Sequence, residues 1–304
     1  MKKTRPIRGI VPVVLTPLTK DENVDVDGLR RLMEFLISQK IGGLWVLGTG
    51  SEDMNLSFSK RLQAAQIICE TNNGKIPLVL GAGFFAMEDI LTFINETSGF
   101  EFDAYHVMPY HPLLSLERLD WFYRHIVDNC PKPLWMYTSG NWSRPITPGF
   151  VEDLKEHPNI AGIKFSSKDA VAVTKVASLA DENFQVITAV AAQLYACLCM
   201  GSKAHTSSLG SCLPEVLIGI YDFFIEGRHA ESLAEQLKLN NFLSELARNT
   251  KKDNFLQAAD EKFILSLRGI CEEHVSSYYR NINSEEKKRI NDLIKSFSVF
   301  KSEK

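Results

Sequence analysis

The chain has 304 residues, a formal net charge of −3 and 45% hydrophobic residues. That is enough to bury a large core, as one barrel-sized domain with an appendage or as two ordinary domains. A near-neutral charge with no clustered basic face argues against nucleic acid as a partner. No apolar run approaches the ~20 residues that span a bilayer, so no membrane association is expected. The basic start, Met1 to Arg8, is followed by Gly9–Leu18 with two prolines and no small-residue cleavage site, so no signal peptide is expected. The six cysteines (Cys69, Cys130, Cys197, Cys199, Cys212, Cys271) lack the paired spacing of a metal site. A reduced, cytoplasmic protein is the simplest expectation.

Short apolar strands are predicted at Gly9–Leu15, Gly43–Leu47, Pro77–Gly81, Asp103–Met108, Pro133–Tyr137, Ile160–Phe165, Phe184–Thr188 and Ala204–Ser207. Amphipathic helices are predicted between them, at Val26–Gln39 behind an Asp25/Asp27 start signal, then Ser59–Glu70, Met87–Thr97, Leu116–Asn129, Pro148–Glu156 and Ala191–Met200. Eight strands alternating with helices predict an α/β chain, and eight is the number that closes a (β/α)8 TIM barrel. An open doubly wound sheet is the alternative. Its Gly-x-Gly-x-x-Gly turn is missing after the first strand, where Leu15-Thr16-Pro17 stands. Beyond about residue 213 only helices are predicted: Pro214–Glu226, Arg228–Leu246, Asn254–Leu267 and Ser284–Phe297, with Gly227 as a break. The expected division is a barrel over 1–226 and a C-terminal helical bundle over 227–304.

In such a barrel chemistry gathers where strands finish. Lys164 ends the run Asn159–Ser167, in which Ile160 to Ile163 read as a strand buried on both faces. An ammonium placed there loses its water, so its pKa falls. Holding the amine neutral near pH 7 takes about 4 kcal/mol against the charged form. A neutral amine in an apolar pocket is a nucleophile toward ketones and forms Schiff bases. Lys132 and Lys203 precede their strands and belong at the opposite end. Gly48-Thr49-Gly50-Ser51-Glu52, after the second strand, is a small-residue turn suited to an anion such as a carboxylate. Tyr110 and His111 follow the fourth strand, and Tyr137 then Asn141 to Arg144 follow the fifth.

Taken in order, Gly9-Ile-Val-Pro-Val-Val-Leu-Thr-Pro17, Gly48-Thr-Gly-Ser-Glu52, Pro77-Leu-Val-Leu-Gly-Ala-Gly83, Val107-Met-Pro-Tyr110, Tyr137 and Gly162-Ile-Lys-Phe-Ser-Ser167 resemble the dihydrodipicolinate synthase / N-acetylneuraminate lyase family of class I aldolases. The resemblance covers nearly the whole chain. It implies a (β/α)8 barrel with a C-terminal helical extension, assembled as a homotetramer or homodimer, with no cofactor and no metal. It also implies a Schiff base between Lys164 and a 2-oxo acid, most often pyruvate, with an aldehyde as second substrate. Tyr137 would be the proton-shuttling phenol, Thr49 the hydroxyl beside it, and Gly48, Gly50, Ser51, Tyr110, His111, Arg144 and Thr206 the substrate-binding set.

The chain departs from that family's pattern at several of these places. Gly50 stands where a second hydroxyl residue is usual, with Ser51 as the nearest replacement. His111 takes the place of a second tyrosine after strand 4. Thr138-Ser-Gly-Asn-Trp-Ser-Arg144 replaces an Asn-x-Pro motif, and Thr188-Ala-Val-Ala replaces an acidic lip after strand 7. These changes motivate a second hypothesis, a non-catalytic or regulatory barrel that binds a keto acid without turnover. A third, a metal-dependent aldolase, rests on seven scattered histidines, of which His106, His111 and His205 lie near strand ends. His106 and His205 are expected to face the helix layer.

Overall fold

The computed structural model describes residues 4–139, 142–246 and 258–297. All eight expected strands form: β1 (Gly9–Pro12), β2 (Leu44–Val46), β3 (Leu78–Gly81), β4 (Ala104–Val107), β5 (Leu134–Ser139), β6 (Ile160–Ser166), β7 (Gln185–Ala189) and β8 (Ala204–Ser207). Between and after them lie α1 (Val26–Ile37), α2 (Phe58–Asn72), α3 (Met87–Thr97), α4 (Leu116–Asp128), α5 (Pro148–Lys155), α6 (Ala170–Ala177), α7 (Leu194–Cys199) and α8 (Pro214–Ile225). The strands are all parallel, in the order β1-β8-β7-β6-β5-β4-β3-β2. A parallel bridge between Val13 and Trp45, with Val14 N donating to Trp45 O at 2.9 Å, brings the two edges together. The result is a (β/α)8 barrel.

Local signals set the helix starts. Asp25 accepts from Gly28 N, Ser57 from Lys60 N, Ser115 from Arg118 N and Thr147 from Phe150 N. Each satisfies a backbone donor that the first turn leaves without an intrahelical partner. Helix α6 is absent from the sequence expectation. Four of its eight residues are Val or Thr, which weakens the helical signal, yet Asp169 caps it through Val171 N and Ala172 N.

Two apolar clusters follow from strand alternation. The larger lies between strands and helices; the smaller fills the barrel and includes Val11, Val13, Trp45, Val79, Trp135, Tyr137 and Ile187. Large aromatic rings fit inside because glycine faces them. A Cβ at Gly162 would lie 2.8 Å from the Trp135 ring, and one at Gly81 2.8 Å from His106 Nε2. His106 therefore sits inside the barrel, contrary to the sequence expectation: its ring stacks on Trp45 at 4.0 Å and 16°. His205 does face outward, where Thr188 Oγ1 lies 2.9 Å from its Nδ1.

Beyond the barrel come α9 (His229–Glu245), α10 (Ala259–Leu267) and α11 (Ser284–Ile294). Gly227, at φ +76°, supplies the reversal between α8 and α9. Gln236 of α9 binds back to the barrel, accepting from Tyr195 N and donating to Ala191 O. The first four residues of the helix expected over Asn254–Leu267 lie outside the described residues. Among the described residues no helix is long and apolar enough to cross a membrane.

Candidate active site

Tyr137 and Lys164 are register partners on adjacent strands, so the parallel ladder itself holds their side chains on the same face of the sheet. Lys164 Nζ donates to Tyr137 Oη at 3.1 Å, and Tyr137 Oη lies 2.9 Å from Thr49 Oγ1. The chain of three groups therefore spans β6, β5 and the turn after β2. Lys164 is 5% exposed. Its amine lies 4.2 Å from the Tyr137 ring centroid and 5.2 Å from that of Trp45. Burial lowers the Lys164 pKa to about 7, opposed by the negative charge of Asp53. Burial likewise raises the Tyr137 pKa, against the hydrogen bond with Thr49. Trp45 and His106 both meet the Tyr137 ring edge-on, at 5.6 and 5.7 Å, and fix the ring. Burial holds His106 well below the usual histidine range, so its ring is neutral beside the lysine.

The turn after β2 is built under constraint. Leu47 at φ +53° and Glu52 at φ +60° flank it, conformations that L residues adopt only when their surroundings enforce them. Ser51 does much of the enforcing: its hydroxyl donates to Val14 O at 2.6 Å and accepts from Gly48 N at 3.3 Å. That hydroxyl is thus committed to backbone and does not replace the one missing at Gly50. A side chain at position 50 would meet Ser208 Cβ at 2.9 Å, so Ser208 occupies the space that a threonine in the turn would need.

The remaining expected residues divide. Tyr110 is buried and its hydroxyl donates to Asp53 Oδ2 at 2.6 Å. Thr206 is buried in the barrel with no hydrogen-bond partner for Oγ1 among the described residues. His111 is exposed, its Nε2 2.9 Å from Phe85 O. Arg144 donates to Leu114 O at 3.1 Å, which ties it to the loop before α4. Asn141 lies outside the described residues. Sequence reasoning missed Asp53, Trp45 and His106. For Asp53 a signal existed, since a second acid directly follows Glu52 in a loop at a strand end; the aromatic pair looked like ordinary core.

A cavity of about 370 Å³ opens at the ends of β5, β6 and β7, lined in part by Ser139, Ser166, Ser167, Lys168 and Val190. Val190 stands at φ +81°, strained for a β-branched residue. Its carbonyl is held by Gln193 N at 2.9 Å and by His205 Nε2 at 3.2 Å. Burial lowers the His205 pKa to about 3, so that ring is a neutral strut. Among the described residues no group of three or more His, Cys, Asp or Glu side chains is placed to hold a metal ion.

The barrel thus holds a buried lysine, a phenol and a hydroxyl in hydrogen-bonded series. The profile of the dihydrodipicolinate synthetase family matches residues 6–296, and the chain belongs to that family. A 4-hydroxy-tetrahydrodipicolinate synthase from Methanospirillum hungatei is 28% identical over 219 residues, covering 70% of this chain and 75% of the relative. The structure of dihydrodipicolinate synthase from Bacteroides thetaiotaomicron superposes with a TM-score of 0.89 at 23% identity, covering 98% of this chain and all of that one. That of N-acetylneuraminate lyase from Mycoplasma synoviae gives 0.84 at 20% identity, covering 96% of this chain and 98% of the other. The chain is therefore a member of an aldolase and synthase family.

Proposed function

We propose that the protein is a Schiff-base-forming aldolase or synthase that joins a 2-oxo acid, pyruvate in the first instance, to an aldehyde, or cleaves the product of that union. The observation that carries this reading is the Lys164–Tyr137–Thr49 series, with a buried amine whose pKa of about 7 leaves much of it unprotonated at neutral pH. The free amine attacks the carbonyl carbon of the oxo acid. Tyr137 passes a proton to the oxygen, water leaves, and a protonated imine remains. That cation is an electron sink, so the Tyr137 oxygen, left without its proton, takes one from the adjacent carbon and gives an enamine, the nucleophile for C–C bond formation. Thr49 orients the Tyr137 hydroxyl between these transfers. The turn Gly48 to Ser51 would receive the carboxylate.

Borohydride with pyruvate tests this directly: reduction should add the pyruvate-derived mass at Lys164, and Lys164→Ala should remain unlabelled. Exchange of pyruvate methyl protons in deuterated solvent separates turnover from the alternative, a barrel that only binds keto acids. A binder would be trapped yet exchange nothing. Screening 2-oxo acids against aldehydes then identifies the second substrate. Assembly as a homotetramer or homodimer is part of the same proposal. Exposed Phe85, Leu113 and Trp121 near the site support it, and sedimentation would measure it.

A further inference from the structure

Beside the lysine lies a buried carboxyl that the imine chemistry above does not use. Asp53 opens the second short 3-10 turn after β2, is 1% exposed, and accepts the Tyr110 hydroxyl proton on Oδ2 at 2.6 Å. Its Oδ1 is buried with no hydrogen bond of good geometry among the described residues, and the Met54 N–H favours the charged form of the carboxyl. Such an atom is rare in a folded chain and calls for an explanation. Tyr110 is itself pinned: Phe85 stacks on its ring at 5.6 Å.

The charged groups that bear on Asp53 come from several elements. Arg61 of α2 bears on it, with its guanidinium over the Phe84 ring at 4.0 Å and donating to Gly83 O. Lys164 also bears on it, and the Asp53 charge acts in turn on Tyr137 and Tyr279. Burial, the largest influence, raises the Asp53 pKa above the ordinary carboxyl value, and the Tyr110 phenol is raised in the same way. The carboxyl is thus one that can hold a proton.

A phenol has one proton and two lone pairs. Tyr137 commits two of these three to Lys164 and Thr49, on the nitrogen side of the reaction. Tyr110 uses only its proton, toward Asp53, and sits in the same buried cluster as Tyr137. We propose that Tyr110, backed by Asp53, is a second acid–base pair that serves the oxygen of the aldehyde; this rests on the reading that Lys164 forms the imine. In the condensing direction the enamine π pair becomes the new C–C bond, and the aldehyde C=O π pair moves onto its oxygen. The Tyr110 proton goes to that oxygen, and the Asp53 carboxyl proton moves to Tyr110. In the cleaving direction the same transfers run backward and leave Asp53 protonated. Tyr110 is the group that touches substrate, and Asp53 acts through it.

The test separates the two halves of the reaction. Asp53→Asn and Tyr110→Phe are compared with wild type in three assays: borohydride trapping of pyruvate, pyruvate methyl exchange in deuterated water, and condensation of pyruvate with acetaldehyde, glycolaldehyde or glyoxylate. In both variants condensation should fall about 100-fold or more, and at least about 30-fold further than trapping or exchange, which shift only as far as Lys164 feels the lost Asp53 charge. The double variant should be no worse than either single one, since both belong to one relay. Asp53→Glu should regain part of the rate. Equal loss of exchange and condensation would overturn the proposal, because the pair would then serve the imine or the fold. So would unchanged condensation, or a wild type that exchanges pyruvate protons but condenses with none of the three aldehydes. Failure of wild-type trapping would instead strike at the imine itself. Should Asp53→Asn fold poorly, as a melting curve would reveal, Tyr110→Phe carries the same comparison alone.

Discussion

Glu52 and Lys262 form an ion pair at 2.5 Å with neither side chain exposed, and it joins the active-site turn to α10. Glu52 also accepts from Ser276 N at 2.9 Å, and Lys262 donates to His274 O at 2.8 Å. The C-terminal region thus anchors the loop that carries Thr49. Removing one partner of a buried pair strands the other charge, at a cost of about 3–5 kcal/mol. Lys262→Met should lose that much in urea unfolding and slow turnover, while Glu52→Gln combined with Lys262→Met should lose less than Lys262→Met alone. Additive losses would mean that the two charges do not depend on each other.

Gly50 in the turn has a packing partner in Ser208. A Cβ at position 50 would stand 2.9 Å from Ser208 Cβ and 3.2 Å from Val13 Cγ1. Overpacking a tight site costs about 1–3 kcal/mol. Gly50→Thr, which restores the hydroxyl that the family pattern has there, should therefore lower both stability and pyruvate trapping. Adding Ser208→Gly should recover most of the stability. If Gly50→Thr alone melts at the wild-type temperature, the packing account of Gly50 is wrong.

The barrel was legible in the sequence because all eight strands carry apolar runs and most helices carry a cap and a stripe. Helix α6 escaped because its valines mimic a strand, and only the fold gives them a helical face to bury. The place of Lys164 at a strand end was legible, while its pairing with Tyr137 depends on the β5–β6 register, including a shift between Leu134 and Trp135, that only the fold sets. Asp53 was not. Its meaning depends on Arg61, on the next helix, and on Tyr110, which the barrel brings to it across 57 positions of chain. His106 was misplaced for a related reason: strand parity cannot be counted until the register is known, and a one-residue slip turns a side chain from helix layer to barrel. Ser51 shows the opposite limit, a correct position in the turn whose hydroxyl was already committed to Val14.

Tyr137→Phe removes the hydroxyl between Lys164 and Thr49 while leaving the ring against Trp45 and His106. Loss of a positioned acid–base group costs about 10²–10⁴-fold in rate. Imine formation should slow by that order. The end point of borohydride trapping should still be reached, because the amine is intact. Stability should change by less than about 1 kcal/mol, the net size of an ordinary hydrogen bond. A variant that traps pyruvate as fast as wild type would remove Tyr137 from the mechanism.

Lys164 itself should weaken the fold that makes it reactive. Burial brings its pKa from 10.5 to about 7. Between those two pH values the unfolded chain holds a proton that the folded chain has released, so stability rises with pH across that window. Below about pH 7 both states are protonated and the penalty stands at full size, about 5 kcal/mol at 1.36 kcal/mol per pKa unit. Lys164→Met fills similar space without a charge. It should abolish trapping at every pH and be more stable than wild type at pH 6, by roughly 2–5 kcal/mol once lost hydrogen bonding is counted. The advantage should shrink steadily toward pH 10, while wild-type trapping should speed up as pH rises through about 7 and frees the amine. A stability difference that does not vary with pH would mean that the Lys164 nitrogen carries its proton as readily inside the barrel as in water.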